Sequence, residues 1–121
     1  MKSLSLSFLL AAVLAHAADT PSLSGKWQVH LSIAGNESDQ TCTLTQKEND
    51  LTGSCVTTRG TVQISGKIDG KKVAWVYKSE YEGNPLTINF AGTMDSPTKI
   101  AGSVKVEEFS VEGEFTAIPA K

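Results

Sequence analysis

From Ser24 to Ile118 apolar residues and glycines take every second position, and Thr, Ser, Lys, Gln and Glu fill most places between. The dry positions run Gly25, Trp27, Val29, Leu31 and Ile33; Cys42 and Leu44; Leu51, Gly53 and Cys55; and Val62, Ile64, Gly66 and Ile68. They continue at Val73, Trp75 and Tyr77; Leu86, Ile88, Phe90, Gly92 and Met94; Ile100, Gly102, Val104 and Val106; and Phe109, Val111, Gly113 and Phe115. A period of two without any useful helical stretch predicts a series of strands, each with one face toward a core and one toward water.

Turn chemistry supplies a register. With Lys47-Glu48-Asn49-Asp50 as a hairpin turn, Cys42 falls opposite Cys55, Leu44 opposite Gly53 and Gln46 opposite Leu51. Cysteines facing each other across an antiparallel pair have close Cβ atoms, so a Cys42–Cys55 disulfide is expected. Asp69-Gly70 at the centre of a hairpin predicts Gly66 opposite Val73, Ile64 opposite Trp75 and Val62 opposite Tyr77. Arg59-Gly60 predicts Thr57 opposite Val62, Cys55 opposite Ile64 and Gly53 opposite Gly66; Glu107-Glu108 predicts Val104 opposite Val111 and Gly102 opposite Gly113.

The expected fold is all-β, an eight-stranded antiparallel up-and-down barrel, with a two-sheet β-sandwich as the alternative. Gly53, Gly66, Gly92, Gly102 and Gly113 all fall on inward positions, so five strands each give up a core side chain. That loss suits strongly coiled barrel strands better than a flat sandwich layer. The wet outer face excludes a transmembrane barrel, whose outer face is apolar.

At Ser24-Gly25-Lys26-Trp27 the first strand carries the glycine-x-tryptophan opening of lipocalin and avidin barrels, and Leu51-Thr52-Gly53-Ser54-Cys55 followed by Val62-Gln63-Ile64-Ser65-Gly66 resembles later strands of avidin-like and small secreted lipocalin-like proteins. The resemblance implies a calycin-type barrel closed at one end by Trp27, with the inward glycines making room for its indole and ligands entering at the other end. The closed end would carry the 47–50, 69–70 and 95–98 turns, and the mouth the 34–38, 58–61, 79–85 and 107–108 loops. Biotin binding does not carry over: Val29, Ile33 and Cys55 stand where avidin-like proteins place polar groups, and only Thr57 matches. The chain also lacks the helix of longer lipocalins.

Residues 1–17 read as a signal peptide, with Lys2, an apolar run Leu4–Leu14 and the small-residue site Ala15-His16-Ala17. The run is too short for a membrane span. Cleavage near Ala17 or Ala18 implies export to the periplasm or beyond, leaving 18–23 as a flexible lead-in and 24–118 as one barrel domain of about 100 residues, a size that closes a single core. Two cysteines at matched hairpin positions in an exported chain fit a structural disulfide. With 11 basic and 13 acidic residues and no basic cluster, nucleic acid is not an expected partner.

Around the expected mouth sit Gln40, Thr57, Tyr77 and Ser79, above an apolar floor of Leu31, Ile64, Trp75, Ile88 and Phe90. Such an arrangement suits a small apolar or amphipathic ligand, with Thr57, Trp75, Tyr77, Ser79 and Phe90 as binding residues. The competing reading is a filled barrel, since Trp27, Trp75, Tyr77, Phe90, Phe109 and Phe115 are bulky enough to occupy an eight-stranded interior. A filled barrel would act as a protein-interaction module (inhibitor, adhesin or accessory subunit) through the Ser79–Pro85 loop, with Tyr81 as anchor. No enzyme, cofactor or metal is expected. His30 is placed on the outer face without a nucleophile beside it, no His/Cys/carboxylate set has ligand spacing, and Glu107, Glu108, Glu112 and Glu114 make only an acidic edge.

Overall fold

The structure, a computed structural model, describes residues 22–120; the expected signal peptide and most of the expected lead-in lie outside them. Eight strands follow one another as β1 (Gly25–Ile33), β2 (Asn36–Lys47), β3 (Asp50–Thr57), β4 (Gly60–Asp69), β5 (Lys72–Tyr81), β6 (Asn84–Ser96), β7 (Lys99–Val106) and β8 (Val111–Pro119), with a 3₁₀ turn at Glu107–Phe109. Each pairs antiparallel with the next, and β1 pairs also with β8, so the sheet closes into an up-and-down barrel rather than a sandwich. Closure leaves no free strand edge. No helix among the described residues is long and apolar enough to cross a membrane.

The alternation fixes the faces as expected, whereas three hairpin registers differ. Cys42 opposes Cys55, Leu44 opposes Gly53 and Gln46 opposes Leu51, as the sequence predicts. In the β3–β4, β4–β5 and β7–β8 hairpins the pairing is displaced by two residues. Cys55 opposes Val62 and Gly53 opposes Ile64; Ile64 opposes Tyr77 and Gly66 opposes Trp75; Val104 opposes Gly113 and Val106 opposes Val111. A two-residue displacement keeps every side chain on its face, so hydrophobic patterning cannot detect it, and turn geometry decides instead.

Between β4 and β5 the central turn residues are Gly70-Lys71, not Asp69-Gly70, because Gly70 takes a positive φ of 63° at the first central position, the place a type II′ turn reserves for glycine. Between β3 and β4 the turn is Thr58-Arg59. There the Arg59 N–H donates to Thr57 Oγ1 at 3.0 Å and the Thr57 hydroxyl donates to the Gly60 carbonyl at 2.9 Å.

The core fills the lower barrel. Trp75 stacks on Phe90 at 5.0 Å between ring centroids, and Phe115 meets both rings edge-on at 5.4 and 5.1 Å. The shifted register sets Trp75 beside Gly66, where an added Cβ would collide with the Ala74 carbonyl oxygen and the Trp75 Cα. That glycine therefore permits close approach of β5, whereas the resemblance implied that it makes room for the Trp27 indole.

Trp27 closes the base together with Leu23, which is fully buried although the sequence analysis placed it before the domain. The Trp27 indole N–H donates to the Leu23 carbonyl at 2.9 Å, and the Leu23 N–H donates to Gln46 Oε1 at 2.8 Å. Both groups would otherwise be buried without partners.

Candidate functional site

At the opposite end the strands flare around a cavity of about 450 Å³. Its deeper lining is Leu31 on β1, Gln40 on β2, and Tyr77 and Ile88 on β5 and β6; Ile33, Leu86, Val106 and Val111 form apolar walls higher up. Asn36, Ser38, Thr58, Arg59, Tyr81 and Phe109 surround the opening. Gln40 lies four residues from Asn36, the start of β2 at the mouth, roughly 13 Å along the strand.

Gln40 and Tyr77 meet across the interior. The Gln40 Nε2 amide donates to the Tyr77 hydroxyl at 2.6 Å, both side chains being buried. Burial pushes the Tyr77 phenol above its usual pKa, the bond from Gln40 opposing this only in part, so the phenol keeps its proton. Gln40 Oε1 is shielded from solvent and has no hydrogen-bond partner among the described residues; Trp75 Nε1 is in the same condition deeper in the core.

The rim is built by packing and latching. Tyr81 meets Phe109 edge-on at 6.5 Å, and the Arg59 guanidinium lies 4.8 Å from the centre of the Tyr81 ring, a cation–π arrangement. Phe109, expected to point inward along the last strand, is instead 53% exposed on the 3₁₀ turn. The turn is held to β6 by its two glutamates. Glu108 accepts from the Thr87 N–H at 2.7 Å and from the Thr87 hydroxyl at 2.8 Å, and Glu107 accepts from the Asn89 amide. The Thr87 bonds hold the Glu108 carboxyl below its ordinary pKa. This pair of the expected acidic edge thus positions Phe109 over the mouth.

The five expected binding residues divide. Tyr77, Ser79 and Thr57 line the cavity, although the Thr57 hydroxyl is engaged in its own turn. Trp75 and Phe90 do not line it; they pack with Phe115 below. Tyr81 lines the opening, but the expected Ser79–Pro85 loop does not exist: Tyr81 pairs with Asn84, and only Glu82-Gly83 turns the chain. The sequence places the 58–61 turn at the mouth and Phe109 in the interior, but does not show that Arg59 and Phe109 meet Tyr81 at the rim.

A second concavity of about 820 Å³ lies on the outer surface, where Ala74, Ala91, Ala101, Gly92 and Gly102 leave the sheet low between taller neighbours. It is a dip in the wall open to solvent, separate from the mouth.

His30 is exposed on the outer face as expected, held between two carboxylates of β2. Its Nδ1 lies 2.8 Å from Asp39 and its Nε2 2.6 Å from Glu37, which also accepts from the Ser32 hydroxyl at 2.8 Å. The bonds to Asp39, and then to Glu37, raise the His30 pKa above 6.5, while those from Ser32 and His30 lower that of Glu37 below 4.5. The stabilisation tied to His30 is therefore fully present below 6.5 and lost as pH rises through its raised value; that tied to Glu37 is present above 4.5 and lost as pH falls through its lowered one. Thermal melts of wild type and His30→Gln should differ most between these limits and converge in alkali, with a small gap because the cluster is exposed. A gap that widened above neutral pH would contradict the assignment.

No protein-family model matches this chain, and no curated protein matches its sequence. Among solved structures it is similar to a redesigned β barrel at TM-score 0.63 and 16% identity, covering 82% of this chain and 92% of that one. The redesigned barrel mFAP1, solved bound to DFHBI, aligns at TM-score 0.59 and 16% identity over 81% and 94% of the two chains. Another, mFAP0, also bound to DFHBI, aligns at 0.56 and 19% over 79% and 97%. At these identities the likeness concerns the fold alone, a closed antiparallel β barrel.

Proposed function

We propose that this protein is an exported binding protein, not an enzyme, that holds one small apolar or amphipathic molecule in the barrel mouth. The observation that carries the reading is the apolar-walled cavity of about 450 Å³, within the range of roughly 300–1,000 Å³ usual for small-molecule sites. The binding of DFHBI by mFAP1 and mFAP0 supports it by showing that barrels of this fold accept a small ligand. The Cys42–Cys55 bridge supports export, since such bonds persist in oxidising compartments.

Anilinonaphthalene sulfonate tests the reading. Its fluorescence should rise saturably at one probe per chain. Leu86→Trp, which fills the mouth from β6, should weaken that binding about tenfold or more, the loss expected when about 1.4 kcal/mol of contact is blocked, while leaving the barrel's circular dichroism unchanged. An absent or non-saturable signal would sink the proposal. A second reading, contact with a protein partner, draws on the exposed Tyr81 and Phe109 pair. The ligand reading takes precedence because the same pair frames the opening of the cavity.

A further inference from the structure

The deepest polar groups of the cavity bear on the chemistry of the ligand, an inference that rests on the small-molecule reading. Gln40 is 7% exposed and lines the cavity, yet its Oε1 has no partner among the described residues. An unpaired buried carbonyl is destabilising, and a leucine of similar size would carry no such penalty. The bond from Gln40 Nε2 uses the Tyr77 oxygen as acceptor, so the phenol proton remains available for donation. An acceptor and a donor therefore sit side by side beneath the cavity floor, and Oε1, screened from the cavity in this conformation, meets a ligand as the Gln40 side chain turns toward the opening.

We propose that the mouth selects ligands with a neutral head that both donates and accepts, a hydroxyl or a carboxamide, inserted toward Gln40 Oε1 and the Tyr77 hydroxyl. The head donates to Oε1 and accepts from the phenol. The apolar body then lies against Leu31, Ile88, Leu86 and Val106. A carboxylate head has no proton for Oε1 and would set its charge against that lone pair. Arg59 is the one cationic side chain among the lining residues, and it stands at the rim, so an acidic group is accommodated at the entrance and not at the floor. The raised phenol pKa keeps the donor in place through neutral and mildly alkaline pH.

Octanol, octanamide, octyl methyl ether and octanoate share an alkyl body and differ in the head, and each can be titrated against bound anilinonaphthalene sulfonate. Octanol and octanamide should bind about tenfold more tightly than the ether and octanoate, the usual effect of leaving a buried polar group unpaired. Gln40→Leu should shrink that gap to within about twofold by improving ether binding. Tyr77→Phe, close to isosteric and so a guard against misfolding of the first variant, removes a donor from which all four heads can accept, so it should weaken all four and leave the gap between them. Equal binding of all four by wild type, or tighter octanoate, would overturn this inference and leave the small-molecule reading intact. Failure of all four and of the probe would overturn both. Persistence of the full gap in Gln40→Leu, or unchanged affinities in Tyr77→Phe, would show that other residues read the head, and would overturn the assignment to Gln40 and Tyr77.

Discussion

The Phe90→Ala variant is expected to lose about 3–5 kcal/mol of folding stability, the range for truncating a buried phenylalanine. Phe90 is 1% exposed and occupies the junction of three other aromatic rings: Trp75 stacks on it, Phe115 meets it edge-on, and Tyr77 lies 5.7 Å away at a tilt. Removing the ring withdraws contacts from all three and leaves a void that closed barrel strands, each paired on both sides, cannot readily collapse around. For a domain of this size that amounts to a fall in midpoint of roughly 12–40 °C. Urea unfolding of wild type and variant measures it. A loss under about 1 kcal/mol would mean that the aromatic cluster is not close-packed.

Breaking the Cys42–Cys55 bridge should be the next largest effect. The Cα atoms are 4.0 Å apart, nearer the spacing of a non-hydrogen-bonded antiparallel pair than of a hydrogen-bonded one, so strand pairing itself brings the side chains together. Both cysteines are fully buried, and the bridge links residues 13 apart in sequence. Closing a loop of that length restricts the unfolded chain by about 3 kcal/mol in the entropic account. The Cys42→Ala/Cys55→Ala double variant should therefore melt roughly 12–24 °C lower, and reductant should lower the wild type but not the variant. Free thiols in non-reducing peptide maps of exported protein would refute the bridge.

The two predictions draw on the sequence unequally. The disulfide follows from counting residues about one turn, because Glu48-Asn49 sits at the centre of the hairpin where the count places it. The packing of Phe90 does not. Inward phase marks Phe90, Trp75 and Tyr77 equally as interior residues, but height along the barrel axis separates them. Tyr77 reaches the mouth while Trp75 and Phe90 lie beneath it. A strand pattern records which face a residue occupies and carries no axial coordinate, which depends on register and on the tilt required for closure.

By itself the sequence determined the strand content, the inward and outward faces, the closed-barrel choice over a sandwich and the Cys42–Cys55 pairing, all consequences of period-two alternation and one turn length. Tertiary structure alone decided the three displaced registers, the burial of Leu23 under Trp27, the exposure of Phe109 beside Tyr81 and Arg59, and the meeting of Gln40 with Tyr77 across 37 residues of chain. The reason is physical. A shift by two residues leaves the hydrophobic pattern unchanged, so only turn geometry and the closure of β8 onto β1 could select among registers of equal patterning and thereby bring those distant side chains together.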